Sequence, residues 1–355
     1  MKTSLFDYVL PPELIAHVPH NPRDASRLLT INRKAKTIKH HSEFSSLEHV
    51  LQPGDVLVLN DTKVIPARLM GHKHTGGRIE ILLVKPTREG SPWEALTKPG
   101  LKPGQEVIFT QNLRARSVGN QQNGLTTLQF NTNDKQLMDL LTDIGKTPIP
   151  PYITPQQNES ELREAYQTVF ATHPGSVAAP TAGLHFTQDL LNRLNKKGIQ
   201  ISYLTLHVGP GTFKSVKTDS IANHSLHHES FNIAPHTAKT ILDAKNDHRR
   251  IIAVGTTTTR VLESLANQKD PFKNLSGETD IFIYPSFKFK IIDGLITNFH
   301  LPQSTLLMLV SAFVSSPNTP NEFTNFRNSL AGIAYAQAIE RKYRFYSFGD
   351  AMLIL

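Results

Sequence analysis

The 355-residue sequence contains no cysteine. That excludes disulfides, thiolate zinc sites, iron–sulfur clusters and a cysteine nucleophile together. It also lacks a hydrophobic run able to span a bilayer. The longest, Leu306 to Val314, falls well short of the roughly 20 residues a spanning helix needs. Charge enters within the first seven residues and no apolar targeting core follows, so a cytoplasmic protein without membrane contact is expected. There is no polybasic tail either. The net charge of +8 points to an anionic partner such as nucleic acid, but the basic residues are scattered, so any such surface must be assembled by folding.

What is present reads as an ordinary globular chain, with 39% hydrophobic and 19% charged residues. Its length exceeds the usual single core and predicts two domains. Between Ala67 and Ile149, short β-rich runs follow one another: Arg78 to Val84, Trp93 to Thr97, Glu106 to Thr110, Leu113 to Val118 and Leu125 to Phe130. Gly, Pro, Asn and Lys clusters separate them at the spacing of a small barrel. A helix with Leu137, Leu140, Leu141 and Ile144 on one face follows, and Pro148 to Tyr152 reads as a stiff extended return. On either side, strand and helix patterns alternate. The expected fold class is therefore α/β, a discontinuous α/β catalytic domain (1–66 and 151–355) carrying an inserted β-barrel (67–150).

Chemistry-bearing residues gather where predicted strands end. Asp55 to Leu59 is an apolar run of the kind buried on both faces, stopping at Asn60-Asp61-Thr62. Asp61 is a candidate for ribose hydroxyls or an amine, with a local Asx-turn as the alternative. Val177 to Phe186 (V-A-A-P-T-A-G-L-H-F) holds one titratable group, His185. It precedes a helix predicted over Thr187–Lys197, capped by Thr187 and ended by Gly198. A strand over Ile199–Val208 brings His207 to Gly209-Pro210-Gly211-Thr212-Phe213, a turn whose amides can face an anion or a carbonyl. The third glycine of the dinucleotide fingerprint is missing and no Lys-Ser/Thr follows, so neither a nicotinamide site nor a P-loop is supported. His224 to Glu229 (H-S-L-H-H-E), if helical, puts His224 and His228 on one face beside Glu229 and imitates a zinc site; the order H-E-x-x-H is absent, and a polar segment without metal is the preferred reading.

The strand Ile251–Val254 runs into Gly255 and four threonines before Arg260, a junction suited to ribose, carboxylate or phosphate. Further on, Asp280 to Ile292 reads as β-rich, and Leu295 to His300 as a strand ending in Asn298-Phe299-His300 before a helix capped by Ser304. Arg23 and Arg27 flank Asp24 and can clamp an anion or form a local salt bridge. His72, Lys73, His74 and Arg78 make one barrel loop basic, and Arg341, Lys342 and Arg344 interleave with aromatics near the C-terminus; both stretches suit RNA contact or ordinary solvation.

Taken together, Pro180–Phe186, Leu206–Phe213 (L-H-V-G-P-G-T-F), the V-G-T-T turn with Arg260, Thr279–Pro285 (T-D-I-F-I-Y-P), Thr297–Phe313 and Tyr343–Ile354 resemble the S-adenosylmethionine:tRNA ribosyltransferase-isomerase family of queuosine biosynthesis. P-R-D-A-S-R-L-L, P-G-D-V-L-V-L-N-D-T and I-P-A-R-L in the N-terminal part are similar too, so the likeness covers essentially the whole chain. Thr258-Thr259 stands where Ser-Val is usual, and His227-His228-Glu229 where His-Ser-Glu is. The resemblance implies an α/β domain with an inserted barrel, and transfer with isomerisation of the ribosyl group of S-adenosylmethionine to 7-aminomethyl-7-deazaguanine at the tRNA wobble position. Epoxyqueuosine-tRNA, adenine and methionine are the implied products. S-adenosylmethionine is then a consumed substrate; no cofactor or metal is expected, the partners are tRNAs with guanine-first anticodons, and a monomer is expected.

That reaction needs acid–base groups near neutral pH, which histidine supplies. His185, His207, Glu229 and His300 are the catalytic candidates. Arg27, Asp61, Thr181, Gly183, Gly209, Gly211, Thr212, Gly255, Thr256, Thr257, Arg260 and Asn298 are the candidates for holding S-adenosylmethionine, and Lys73, Arg78, Arg341, Lys342 and Arg344 those for tRNA. Two other classes compete: a noncatalytic RNA-binding protein, and a metal-dependent hydrolase built on His224, His228 and Glu229.

Overall fold

Val56–Asn60 (VLVLN), Ile251–Val254 (IIAV) and Gly294–Asn298 (GLITN) are buried along their whole length, as strands covered on both faces must be. They form the middle of a nine-stranded sheet in a computed structural model that describes residues 1–87, 92–120, 124–209, 216 and 218–355. In chain order the strands are β1 (Leu28–Asn32), β2 (Thr37–His41), β3 (Val56–Asn60), β4 (Thr62–Val64), β5 (Arg68–Lys73), β6 (Arg78–Pro86), β7 (Trp93–Lys98), β8 (Glu106–Ile108), β9 (Arg114–Asn120), β10 (Thr126–Phe130), β11 (His173–Ser176), β12 (Gln200–Leu206), β13 (Glu229–Asn232), β14 (Ile251–Val254), β15 (Ser276–Thr279), β16 (Gly294–Asn298) and β17 (Ala351–Ile354). The main sheet runs β15-β13-β12-β3-β14-β16-β17-β1-β2. The four strands β12-β3-β14-β16 are mutually parallel, so their C-terminal ends share one edge.

The helices are α1 (Leu47–Val50), α2 (Asp134–Ile144), α3 (Glu159–Ala165), α4 (Gln188–Lys196), α5 (Pro235–Asn246), α6 (Thr256–Ala266), α7 (Thr305–Phe313) and α8 (Leu330–Glu340). Alternation along the strands divides the core in two. Val56, Val58, Ile251, Ala253 and Leu295 pack with residues of α5, α6, α7 and α8, whereas Leu57, Leu59, Ile252, Val254 and Ile296 pack with Leu190, Leu191 and Leu194 of α4. Helix α4 begins as its sequence predicts: the Thr187 hydroxyl accepts the Leu190 amide at 3.1 Å, and Gly198 ends it at φ +90°.

Strands β5 to β10 close into a barrel in the order β10-β7-β6-β5-β8-β9, with Leu137 and Leu141 of α2 packed on its core. The chain is thus α/β with a closed β-barrel in it. Strand β5 is a sixth barrel strand that the pattern of runs beginning at Arg78 does not reveal. Two expectations need correction. The segment Asp280–Ile292 contains no strand, because the buried carboxylate of Glu263 accepts the amides of Lys290, Ile291 and Ile292 at 2.8 to 3.1 Å and so replaces a ladder partner. The expected Pro148–Tyr152 return strand is likewise not a strand; three prolines in that stretch remove the donors that pairing needs.

Candidate active site at the strand ends

The shared C-terminal edge of β12, β3, β14 and β16 carries, in spatial order, His207, Asp61, Gly255 and Asn298. In open α/β sheets ligands bind at this edge. His207 lies half-buried, its Nδ1 2.8 Å from the Thr62 hydroxyl, and its Nε2 has no partner among the described residues. The ring lies where a side chain on Gly175 would stand, so Gly175, at φ +150°, makes room for it. Burial, then the neighbouring His173, lowers the His207 pKa, against the pull of Asp61. Asp61 accepts the Thr205 hydroxyl at 2.7 Å and faces His173 at 3.2 Å.

Beside this group a cavity of about 80 Å³ is lined by Gly209, Glu229, Thr256, Thr257 and Arg260, with His224, His227, Phe282, Thr305 and Leu306 completing its wall. Glu229 and Arg260 form an ion pair, 6% and 9% exposed. The other Glu229 oxygen accepts the Gly209 amide at 2.8 Å, and Arg260 Nε donates to the Ile281 carbonyl at 3.1 Å. Both groups are thus engaged within the protein. Gly255 takes φ +91° and ψ 153°, a conformation open in practice only to glycine, to swing the chain from β14 into α6. Three of the four threonines behave differently from simple caps: Thr258 and Thr259 return their hydroxyls to the Val254 and Gly255 carbonyls at 2.7 and 3.1 Å, while the Thr257 hydroxyl is buried without a partner among the described residues.

A second, smaller cavity of about 30 Å³ shares Leu306 with the first and is lined by Tyr152, Thr181, Asn298, His300 and Ser347. The Asn298 amide nitrogen donates to the Tyr346 carbonyl at 3.1 Å and lies 3.0 Å from His185 Nε2. A carbonyl cannot donate, so the amide orientation is fixed and His185 Nε2 must accept. The His185 proton therefore sits on Nδ1, which donates to Ser26 Oγ at 2.8 Å. Thr181 completes the chain by donating to Asn298 Oδ1 at 3.1 Å. Burial lowers the His185 pKa to about 4 and that of His300, whose Nε2 lies 2.7 Å from the Thr297 hydroxyl, to about 3. Both imidazoles are neutral near pH 7. Burial disfavours the protonated form of each, so neither suits supplying the proton that a leaving adenine needs.

The fold does not bring every candidate here. Gly183 is a packing residue: a Cβ there would meet Phe170 and Thr168 at 2.8 and 2.9 Å. Arg27 lines neither cavity; it donates to the Asp350 carboxylate at 3.2 Å and to the carbonyls of Arg341 and Lys342, with Tyr343 against its guanidinium. Arg344 is half-buried and donates to the carbonyls of Val18 and Phe348, whereas Arg341 and Lys342 are exposed. Lys73 and Arg78 stand on the barrel, Lys73 beside a groove with His74 and Arg116. Gly211 and Thr212 lie outside the described residues. His224 to His228 is not helical, so the i, i+4 face that a zinc site would need does not form; among the described residues no group of three or more His, Asp or Glu is placed to hold a metal. Sequence reasoning missed Ser26, Thr62 and Asp350, and the only signal for Ser26 was its place in R-D-A-S-R-L-L.

A family model described as "Queuosine biosynthesis protein" matches residues 3–354. The chain belongs to this family. It is 47% identical, with all of both chains covered, to the S-adenosylmethionine:tRNA ribosyltransferase-isomerase of Thermotoga maritima, and 46% identical, again over all of both chains, to that of Clostridioides difficile. A crystal structure of S-adenosylmethionine tRNA ribosyltransferase from Thermotoga maritima superimposes with a TM-score of 0.55 at 38% identity, covering 99% of this chain and all of that one. Among the described residues, no helix is long and apolar enough to cross a membrane.

Proposed function

We propose that this protein transfers and isomerises the ribosyl moiety of S-adenosylmethionine onto the aminomethyl group of 7-aminomethyl-7-deazaguanine at the tRNA wobble position. The products are epoxyqueuosine-tRNA, adenine and methionine. The observation that carries the reading is the row of strand-end groups on one sheet edge, His207 and Asp61, then the Glu229–Arg260 cavity, then Thr181, Asn298 and His300, in a chain of this family. S-adenosylmethionine is consumed as a substrate and no further cofactor is called for. We assign tRNAs with guanine-first anticodons, a monomeric cytoplasmic enzyme, a catalytic domain of residues 1–66 and 151–355, and a barrel of residues 67–150.

A sulfonium acidifies the adjacent ribose carbon, so the first demand is an unprotonated base. His207 is the best placed of the candidates, since its Nε2 is unpaired among the described residues while both His185 nitrogens are engaged. His185 holds Asn298 in the wall of the smaller cavity, and Glu229 acts by holding the Gly209 amide and Arg260. The incoming amine attacks as the neutral base, and adenine leaves with a proton. The test is incubation with S-adenosylmethionine and tRNA carrying the aminomethyl-deazaguanine. Adenine and methionine released only with that tRNA support the reading; S-adenosylhomocysteine would mean a methyltransferase.

A further inference from the structure

Helix α6 is the one element of the larger cavity whose first turn is left open by its own sequence. Its N-cap is Gly255, which has no side chain to offer, and no side chain caps the turn. The first intrahelical acceptor is the Gly255 carbonyl, taken by Thr259 at 3.2 Å, so the amides of Thr256, Thr257 and Thr258 precede the ladder. Helix α7, whose Thr305 and Leu306 line the same cavity, is closed by Ser304, which accepts the Leu307 amide at 3.2 Å. A second observation is independent of the helix. The Thr257 hydroxyl is buried and has no hydrogen-bond partner among the described residues, in a residue 6% exposed that lines the cavity, and it stands over Gly255 at the helix mouth. A buried hydroxyl left without a partner is costly unless a ligand satisfies it.

The cavity, about 80 Å³, has space for a small polar group. The arginine that lines it, Arg260, is held by Glu229 and by the carbonyls of Thr279 and Ile281, so the pair leaves little net charge. Attraction for an anion comes instead from the α6 amides and dipole. A carboxylate at the end of a flexible chain can enter it and offers two oxygens to those donors.

Resting on the reading above that this edge takes S-adenosylmethionine, we propose that the methionine carboxylate binds at the N-terminus of α6, accepting from the first-turn amides and from the Thr257 hydroxyl. The site thereby selects the intact amino acid over its decarboxylated form. The test uses the full-length protein with saturating modified tRNA. It measures the KM for S-adenosylmethionine by adenine release, and the Ki of decarboxylated S-adenosylmethionine as a competitor. Thr257→Val is expected to raise the KM about tenfold, to leave the Ki unchanged and not to lower the melting temperature of the unliganded protein, since the lost hydroxyl had no internal partner. Thr257→Ser is expected to keep the wild-type KM. Neither constant depends on the fraction of enzyme folded. Equal changes in KM and Ki, or no change in either, would overturn the carboxylate assignment. Absence of adenine release by the wild type would instead overturn the reading of the whole site, and the carboxylate with it.

Discussion

Replacing Arg260 with methionine separates two roles for Glu229. In the wild type the Glu229 carboxylate is buried between Arg260 and the Gly209 amide, and Arg260 is further held by the Ile281 carbonyl at 3.1 Å. Arg260→Met removes the guanidinium partner of a carboxylate that is 6% exposed. Breaking a buried pair in this way costs about 3–5 kcal/mol. With an unfolding entropy of about 2.1 cal/mol/K per residue, spread over a cooperative domain of roughly 270 residues, the melting temperature should fall by roughly 5–10 °C. Glu229→Gln combined with Arg260→Met removes that buried charge, keeps an acceptor for Gly209, and should return stability to within about 2 kcal/mol of wild type. The geometry makes Glu229 a positioning residue, so the folded double variant should retain kcat within about tenfold and an unchanged pH profile. Calorimetry and adenine release on the three proteins decide the matter. A double variant of near-normal stability whose kcat falls by about 10³ or more would show Glu229 transferring protons and refute this reasoning. A loss below about 1 kcal/mol in Arg260→Met would show that the pair is not buried as described.

Other outcomes follow from the same structure. The His185 pKa, lowered to about 4 by burial, lies below the unfolded value near 6.5, so its stabilising contribution is complete above pH 6.5 and is lost as pH falls toward 4. Urea denaturation at pH 7.5 and pH 4.5 should therefore show wild type losing about 2–3 kcal/mol more than His185→Gln; equal losses would contradict the burial. Gly255→Ala has space for its Cβ, 3.5 Å from Thr257 Oγ1 and 3.7 Å from Ala182 Cβ, but not the backbone freedom, and should lower stability by about 1–3 kcal/mol while raising the KM for S-adenosylmethionine. Arg27→Ala should lower stability by about 1–3 kcal/mol, measured by thermal melting, yet leave that KM within about twofold, because its guanidinium serves Asp350 and the chain beyond α8.

The parts of the fold that depend on local pattern were legible. The fully apolar runs of β3 and β14 are buried strands, the Thr187 and Ser304 caps begin α4 and α7, and Gly198 ends α4. The failures share a physical cause, namely a partner far away in sequence. Glu263 satisfies the amides of Lys290 to Ile292, so a stretch with strand-like composition has no need of a neighbouring strand. Arg27 reads as an anion clamp from its neighbours Arg23 and Asp24, but its carboxylate is Asp350.

Aspartates next to wholly apolar strands show why topology is needed to finish the reading. Asp55 before β3, Asp61 after it and Asp350 before β17 look alike as sequence, and each is nearly or fully buried, which obliges it to find donors. Asp55 takes Arg250 Nε at 2.8 Å at the N-terminal end of β3, the edge away from the site, and has only a structural part to play. Strand β17 runs antiparallel to β16 and pairs Ala351 with Asn298, so the residue preceding it arrives at the C-terminal edge with Asp61. There Asp350 gathers the amides of Arg27 and Arg344 at 2.9 and 2.8 Å, and its charge opposes the effect of burial on His185. One strand direction, which no local pattern encodes, is what turns a carboxylate that reads as a fold determinant into a support for the Ser26–His185–Asn298 chain.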